Sequence, residues 1–240
     1  MTYNDLKSAA MKNCISLTFL AIAALLISSC SKENETDSTS LSVAGLDYFP
    51  DDSGIVRYYA VDSTYWDEFT NTTGTVSFEI KEVLAGHFID NQGRNAMRIE
   101  RYRKDSTGTW VINRVWSSVR TNNTAEMVEE NIRYVKIHFP ASDGSTWNGN
   151  SYNTLGDQTY EITALDIPGS VSGLNFTNTL HVKEENNPGN LLNNNEQEAK
   201  YAKNIGAYFK LKSSLNFEWL SGDTASGYIY KETLTSYILP

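Results

Sequence analysis

Cysteine is nearly absent from this sequence. Cys14 and Cys30 are the two in 240 residues, and both lie in the first thirty. Whatever folds beyond residue 30 therefore has no disulfide to staple it and no thiol nucleophile for covalent chemistry. Histidine is scarce too: His87, His138 and His181 are the three. None has a cysteine or a second histidine at the spacing of a tetrahedral zinc site, so no metal is expected. His138 lies between Ile137 and Phe139, and His181 between Leu180 and Val182, so alternation points both away from a core. With His87 beside the glycine of AGHF, all three read as exposed or edge histidines without a role. No apolar run after residue 26 is long enough to span a bilayer. The chain carries net charge −9 and no stripe dense in Lys and Arg. That argues against nucleic acid and anionic phosphate surfaces as partners.

Catalytic signatures are missing as well. The string Gly169-Ser170-Val171-Ser172-Gly173 has Val171 where a serine-hydrolase elbow needs its nucleophile. Asp143-Gly144-Ser145-Thr146 lacks the alternating acids of a calcium loop, and no glycine-rich phosphate cradle exists, so no cofactor is expected. Acidic neighbours occur at Asp51–Asp52, Asp67–Glu68 and Glu129–Glu130. Adjacent strand residues face opposite sides, so adjacency does not make a glycosidase pair.

What is present begins at the N-terminus. Lys12 precedes a short apolar run, Cys14 to Leu26, the layout of a secretory signal and too short for a transmembrane helix. Met11 opens a more typical signal than Met1, which leaves two candidate starts. Ile27-Ser28-Ser29-Cys30 resembles the lipobox of bacterial lipoproteins: a branched apolar residue, two small ones, then cysteine. That resemblance implies cleavage between Ser29 and Cys30, a diacylglycerol thioether on Cys30, and fatty acylation (palmitate or similar) of the new amine. Loss of residues 1–29 removes Lys7, Lys12 and Asp5, leaving 211 residues and net charge −10. Each buried CH₂ of the acyl chains adds about 0.8 kcal/mol, and two or more chains anchor stably. The membrane is then met through lipid. The next residues, SKENE, resemble the Lys-plus-acidic stretch of surface-exported Bacteroidota lipoproteins, with Lys32, Glu33 and Glu35 as the matching positions. The resemblance implies outer-membrane residence, with the cell surface ahead of the periplasmic face. Residues 30–46 read as a flexible polar tether.

From Asp51 onward the chain alternates with period two. Val76, Phe78 and Ile80 face one way and Ser77, Glu79 and Lys81 the other. The pattern returns at Met97–Glu100, Trp110–Trp116, Val135–Phe139, Tyr160–Ala164, Leu180–Val182, Ile205–Leu211 and Tyr228–Leu239, with Gly, Asn and Asp turns between. Aromatics at 12% suit a pleated, half-buried surface. The best helical stretch, Glu196 to Lys203, could equally extend the following strand. Longer loops are expected at Pro140–Asp157 and Glu185–Asn195. The expectation is all-β: one antiparallel domain over 47–240, a strongly curved meander closing as a half-barrel or sandwich, with little helix.

Three stretches carry a further resemblance: YFPDDSGIVRYYAVDSTYWDEF (48–69), FPASDGSTWNGNSYNTLG (139–156) and YAKNIGAYFKL (201–211). They resemble a set of small Bacteroidota lipoproteins of unknown function, over most of the mature chain. Those relatives tend to read YAKGIG where this chain has Asn204, a residue that also tolerates positive φ. By architecture alone, a curved envelope sheet is also similar to the lipoprotein-carrier half-barrels that shelter acyl chains.

Five tryptophans remain as candidate ligand contacts: Trp66, Trp110, Trp116, Trp147 and Trp219. Trp110 and Trp116, six apart in one strand, should share a face with Ile112 and Arg114 and read as core. Trp147, in the turn-rich DGSTWNGN, is the one least suited to a core. Asp-Ser/Thr triplets near Thr39 and Thr107 resemble the O-glycosylation acceptor of Bacteroidota envelope proteins, and are equally ordinary turn chemistry. The functional expectation is a non-enzymatic binding or structural domain on a lipid anchor. The alternatives are a hydrophobic-ligand or lipid carrier with an apolar cavity, and an envelope glycan hydrolase with two carboxylates across an aromatic cleft.

Overall fold

A computed structural model describes residues 43–187 and 192–240. Twelve strands follow one another in an up-and-down course. They are β1 (Val56–Asp67), β2 (Thr72–Ile89), β3 (Asn95–Lys104), β4 (Trp110–Arg120), β5 (Thr124–Glu129) and β6 (Ile132–His138), then β7 (Thr146–Asn148), β8 (Thr159–Val171), β9 (Leu174–Asn187), β10 (Asn193–Ala202), β11 (Gly206–Phe217) and β12 (Thr224–Ile238). They form a single sheet ordered β6-β5-β4-β3-β2-β1-β12-β11-β10-β9-β8-β7. Among the described residues each strand pairing is antiparallel, including β1 with β12, where the two halves of the chain meet. The outermost strands then approach each other. Val135 N–H donates to the Gly149 carbonyl at 2.9 Å, and the Trp147 indole N–H donates to the Val135 carbonyl at 2.8 Å. The result is a nearly closed barrel, the all-β meander that the alternation predicted. The stretch 196–202 is strand, and β9 and β10 take up much of the expected 185–195 loop.

Bulges bend the sheet, and they also overturn some of the face assignments. An extra residue between the Arg101–Arg114 and Tyr102–Ile112 pairs breaks the alternation of β4. Trp116 is therefore buried inside, whereas Trp110 sits on the opposite face against the Tyr58 ring, 5.9 Å between centroids. The shared face expected for these two tryptophans is corrected by that one residue. A second bulge, between Ala125 and Glu126 of β5, gives β6 a surplus residue. Val135, Lys136 and Ile137 are consequently all buried, although Lys136 alternates as a solvent-facing lysine.

The segment ahead of β1 closes one end. A 3-10 turn, Leu46–Tyr48, buries Tyr48 completely. The Arg120 guanidinium donates to the carbonyls of Leu46 and Phe49 at 3.2 and 3.0 Å. Asn204 N–H reaches the Asp47 carbonyl at 2.7 Å, and Ala141 N–H reaches that of Ala44 at 2.9 Å. Val43 and Leu46, left in the tether by the sequence reading, pack against the core. At this closed end lie Phe139, Met97, Ile99, Leu84, Ile162 and Leu180. Asn204 has φ 61, the left-handed turn that Asn was expected to tolerate.

Candidate functional site

Beyond the apolar layer the interior turns ionic. Arg57 of β1 meets Glu82 of the neighbouring β2 at 2.8 Å, and Arg101 of β3 meets Glu232 of β12, three strands along the sheet, at 2.6 Å. Arg101 also lies 3.6 Å from Glu82. All four are at most 5% exposed. A second group joins the other wall: Lys136 of β6 donates to Glu184 of β9 at 2.9 Å and sits 3.5 Å from Glu129 of β5. Charges buried this deeply persist only when paired. Burial alone would raise the Glu129 carboxyl, but the Lys136, Lys210 and Lys212 charges outweigh it and hold it well below the usual carboxylate range. Burial acts likewise on Glu232, and Arg101 and Lys210 overcome it, so its carboxyl is also lowered. Burial opposes the charge on Lys136, and Glu129 with Glu184 reverse that and raise it.

Of these groups, Arg101, Glu129 and Glu232 form the floor of a cleft at the end of the barrel opposite the 3-10 turn. Its volume is ≈ 430 Å³. By contrast, the void beneath the closing segment, beside Arg57 and Glu82, is ≈ 20 Å³, about one water. Among the described residues, the mouth is the roomier of these two spaces. There, Arg103, Arg114 and Lys212 stand above Lys210, Arg101, Glu129 and Glu232, with Trp116, Tyr134, Tyr228, Tyr230 and Phe78 between them. The Tyr230 hydroxyl donates to Glu232 at 2.7 Å. Arg101 lies 4.2 Å from the Trp116 ring centre, which locks that indole against the floor.

Glu130 departs from the expectation for adjacent carboxylates. Glu130 and Asn131 make the β5–β6 turn with φ 49 and 65, which brings the Glu130 side chain back over the same cleft as Glu129. There it accepts the Trp116 indole N–H at 3.1 Å and pairs with Arg114 at 3.2 Å.

The sequence-level candidates fall elsewhere. Ser29, Cys30, Lys32, Glu33, Glu35 and Thr39 lie outside the described residues. Trp147 is half-buried in the seam between β6 and β7, edge-on to Tyr160 at 5.9 Å, and has no place in the cleft. Thr107 caps a tight turn, its hydroxyl donating to Asp105 at 2.7 Å. His138 is exposed and His87 reaches Asp51 at 3.2 Å. His181 is a correction: it points away from the main core, as alternation requires, but into a second apolar cluster. Its Nε2 lies 3.1 Å from the Tyr208 hydroxyl and 3.2 Å from the Thr179 hydroxyl. Burial, helped by the Lys200 charge, pushes its pKa down to about 4.

Sequence reasoning missed the cleft because its residues are widely separated, from Ser63 to Glu232, and because its lysines, arginines and glutamates read as solvated faces. One signal was available: Glu82, Arg101, Lys136 and Glu232 each fall on the alternation that also carries, or lies beside, large apolar residues.

No protein-family model and no curated protein matches the chain. Two solved structures are similar to it. One is a candidate exported protein with YmcC-like fold from Bacteroides fragilis NCTC 9343, 9% identical, TM-score 0.41, covering 80% of this chain and 98% of that one. The other is a candidate lipoprotein from Parabacteroides distasonis ATCC 8503, 8% identical, TM-score 0.39, with the same coverage, 80% and 98%. Likeness at this level says nothing about activity.

Proposed function

We propose that this chain is an outer-membrane lipoprotein, held by lipid on Cys30 and displayed at the cell surface, whose β domain binds a polar ligand at the barrel mouth without transforming it. The observation that carries the binding role is the contrast between the ≈ 20 Å³ void beneath the closing segment and the open cleft of ≈ 430 Å³, a size typical of small-molecule sites. An acyl-chain carrier needs an apolar cavity, and this mouth is lined by five cations and three carboxylates. A glycan hydrolase needs one carboxyl held protonated. Here Glu129 and Glu232 are both pushed toward the ionised form by the cations around them. The anchor and the surface display rest on Ile27-Ser28-Ser29-Cys30 and on SKENE.

Two variants separate the parts of this reading. Cys30→Ala should release the protein from the membrane fraction, and replacing Lys32, Glu33 and Glu35 by Ala should protect it from protease added to intact cells. Ser63→Trp places an indole in the cleft from β1 and should abolish retention of envelope polysaccharide extract by the purified domain. A Cys30→Ala protein that stays membrane-bound contradicts the anchor, and extract binding unchanged by Ser63→Trp contradicts the cleft.

A further inference from the structure

The charges of the cleft are not internally balanced. Arg101, Arg103, Arg114, Lys210 and Lys212 face Glu129, Glu130 and Glu232, an excess of cations on a chain whose net charge is −9. The carboxylates are each engaged: Glu232 with Arg101, Glu129 with Lys136 and Lys212, Glu130 with Arg114. Of the five cations that line the cleft, two have no carboxylate of the described residues within ion-pair distance. Arg103 lies exposed over the Phe78 ring, 4.0 Å from its centre. Lys210 sits deeper, 5.3 Å from the centre of Trp116. An aromatic face supports a cation but does not neutralise it. Both are therefore placed to receive an anion.

A bare anion is a poor fit, because the three carboxylates of the same cleft repel it. The floor also holds an unmet acceptor. Glu232 is 1% exposed, and its Oε1 has no hydrogen-bond partner within the protein. A buried acceptor without a donor destabilises the fold, and a ligand hydroxyl can relieve that. Glu232 lines the cleft together with Glu129. Tyr228, 43% exposed, offers a flat ring at the mouth. Such a surface stacks on the apolar side of a sugar.

Taken together with the reading of the mouth as a binding cleft, on which this inference rests, we infer that the ligand is an acidic saccharide. Its acid group pairs with Arg103 and Lys210, its hydroxyls meet the Glu232 and Glu129 carboxylates, and its ring lies on Tyr228. The same chemistry exists free in glycans and on lipid headgroups, and the free glycan is the better match, since five cations and three carboxylates line the cleft.

Titration calorimetry of the purified domain against trigalacturonic acid, maltotriose and sodium sulfate tests this. The expected result is binding of trigalacturonic acid, weakened at least tenfold by Arg103→Ala and by raised salt, with maltotriose and sulfate at least tenfold weaker. Arg103 is exposed at the mouth, so its removal leaves the fold intact, and circular dichroism checks that. Equal binding of maltotriose, or indifference to Arg103→Ala, overturns the acidic-saccharide assignment while leaving a binding cleft. Binding only to vesicles containing phosphatidylinositol moves the chemistry to a lipid headgroup and overturns the free-glycan assignment. No binding of any probe, while Ser63→Trp still abolishes retention of envelope extract, overturns the ligand class alone. Loss of that effect as well overturns the cleft itself.

Discussion

At the scale of single residues, the unusual investment is in buried ionisable groups. Arg57, Glu82, Arg101, Glu232, Lys136, Glu129 and Glu184 spend charge where a barrel of this kind could hold leucine. Ion pairs so placed seldom stabilise more than apolar packing would, and three of the seven, Arg101, Glu129 and Glu232, line the cleft. Arg57, Glu82, Arg101, Glu184 and Glu232 share the alternation of buried apolar residues, but their charge reads as solvated, and only the surplus residue in β6 brings Lys136 inward. His181 makes the residue-scale account measurable. Its pKa is pushed down from 6.5 to about 4. Above pH 6.5 it is neutral folded or unfolded. As pH falls from there toward 4, the unfolded chain takes up a proton that the folded one refuses, so stability declines across that window. Because the ring is half-buried and solvent screens it, the loss is about 1–2 kcal/mol. Urea unfolding at pH 7 and pH 4 should show this loss in wild type and not in His181→Gln. Identical pH profiles would mean that the Tyr208–Thr179 pocket does not exclude the charge.

Elements are where the sequence spoke most clearly. Period-two alternation broken by Gly, Asn and Asp foretold the strands and their antiparallel succession, because each hairpin is local. Less legible was whatever depends on pairing between distant segments: the β1–β12 junction, the β6–β7 seam closed by Trp147, and the bulge that separates Trp110 from Trp116. The turn between β10 and β11 joins both kinds of information. Gly206 has φ +90, and a Cβ there would lie 2.1 Å from Arg57 Nη1. That nitrogen donates to the Ile205 carbonyl at 3.1 Å, so the guanidinium has no room to retreat. Gly206→Ala should cost about 2–4 kcal/mol, combining backbone strain with a displaced buried cation. Asn204→Gly, at φ 61 in the same turn, should change stability by less than about 1 kcal/mol. Equal effects of the two substitutions in chemical denaturation would contradict the close approach of Arg57.

For the whole molecule, the account is directional: a closed end capped by Tyr48 and Phe49, an ionic floor, and a charged mouth at the far end of β1. The proposed anchor and the proposed cleft differ in how a sequence carries them. The anchor rests on one short linear string, Ile27-Ser28-Ser29-Cys30. The mouth exists only after twelve strands have curved into register, so no short string carries it. The most direct test follows the indole N–H signals of the five tryptophans by two-dimensional NMR while envelope polysaccharide extract is titrated in. The account predicts that Trp116, bonded to Glu130 at the mouth, shifts while Trp110 on the outer face and Trp147 in the seam stay fixed. Movement of Trp110 or Trp147 with Trp116 unchanged would place the ligand elsewhere and contradict the account.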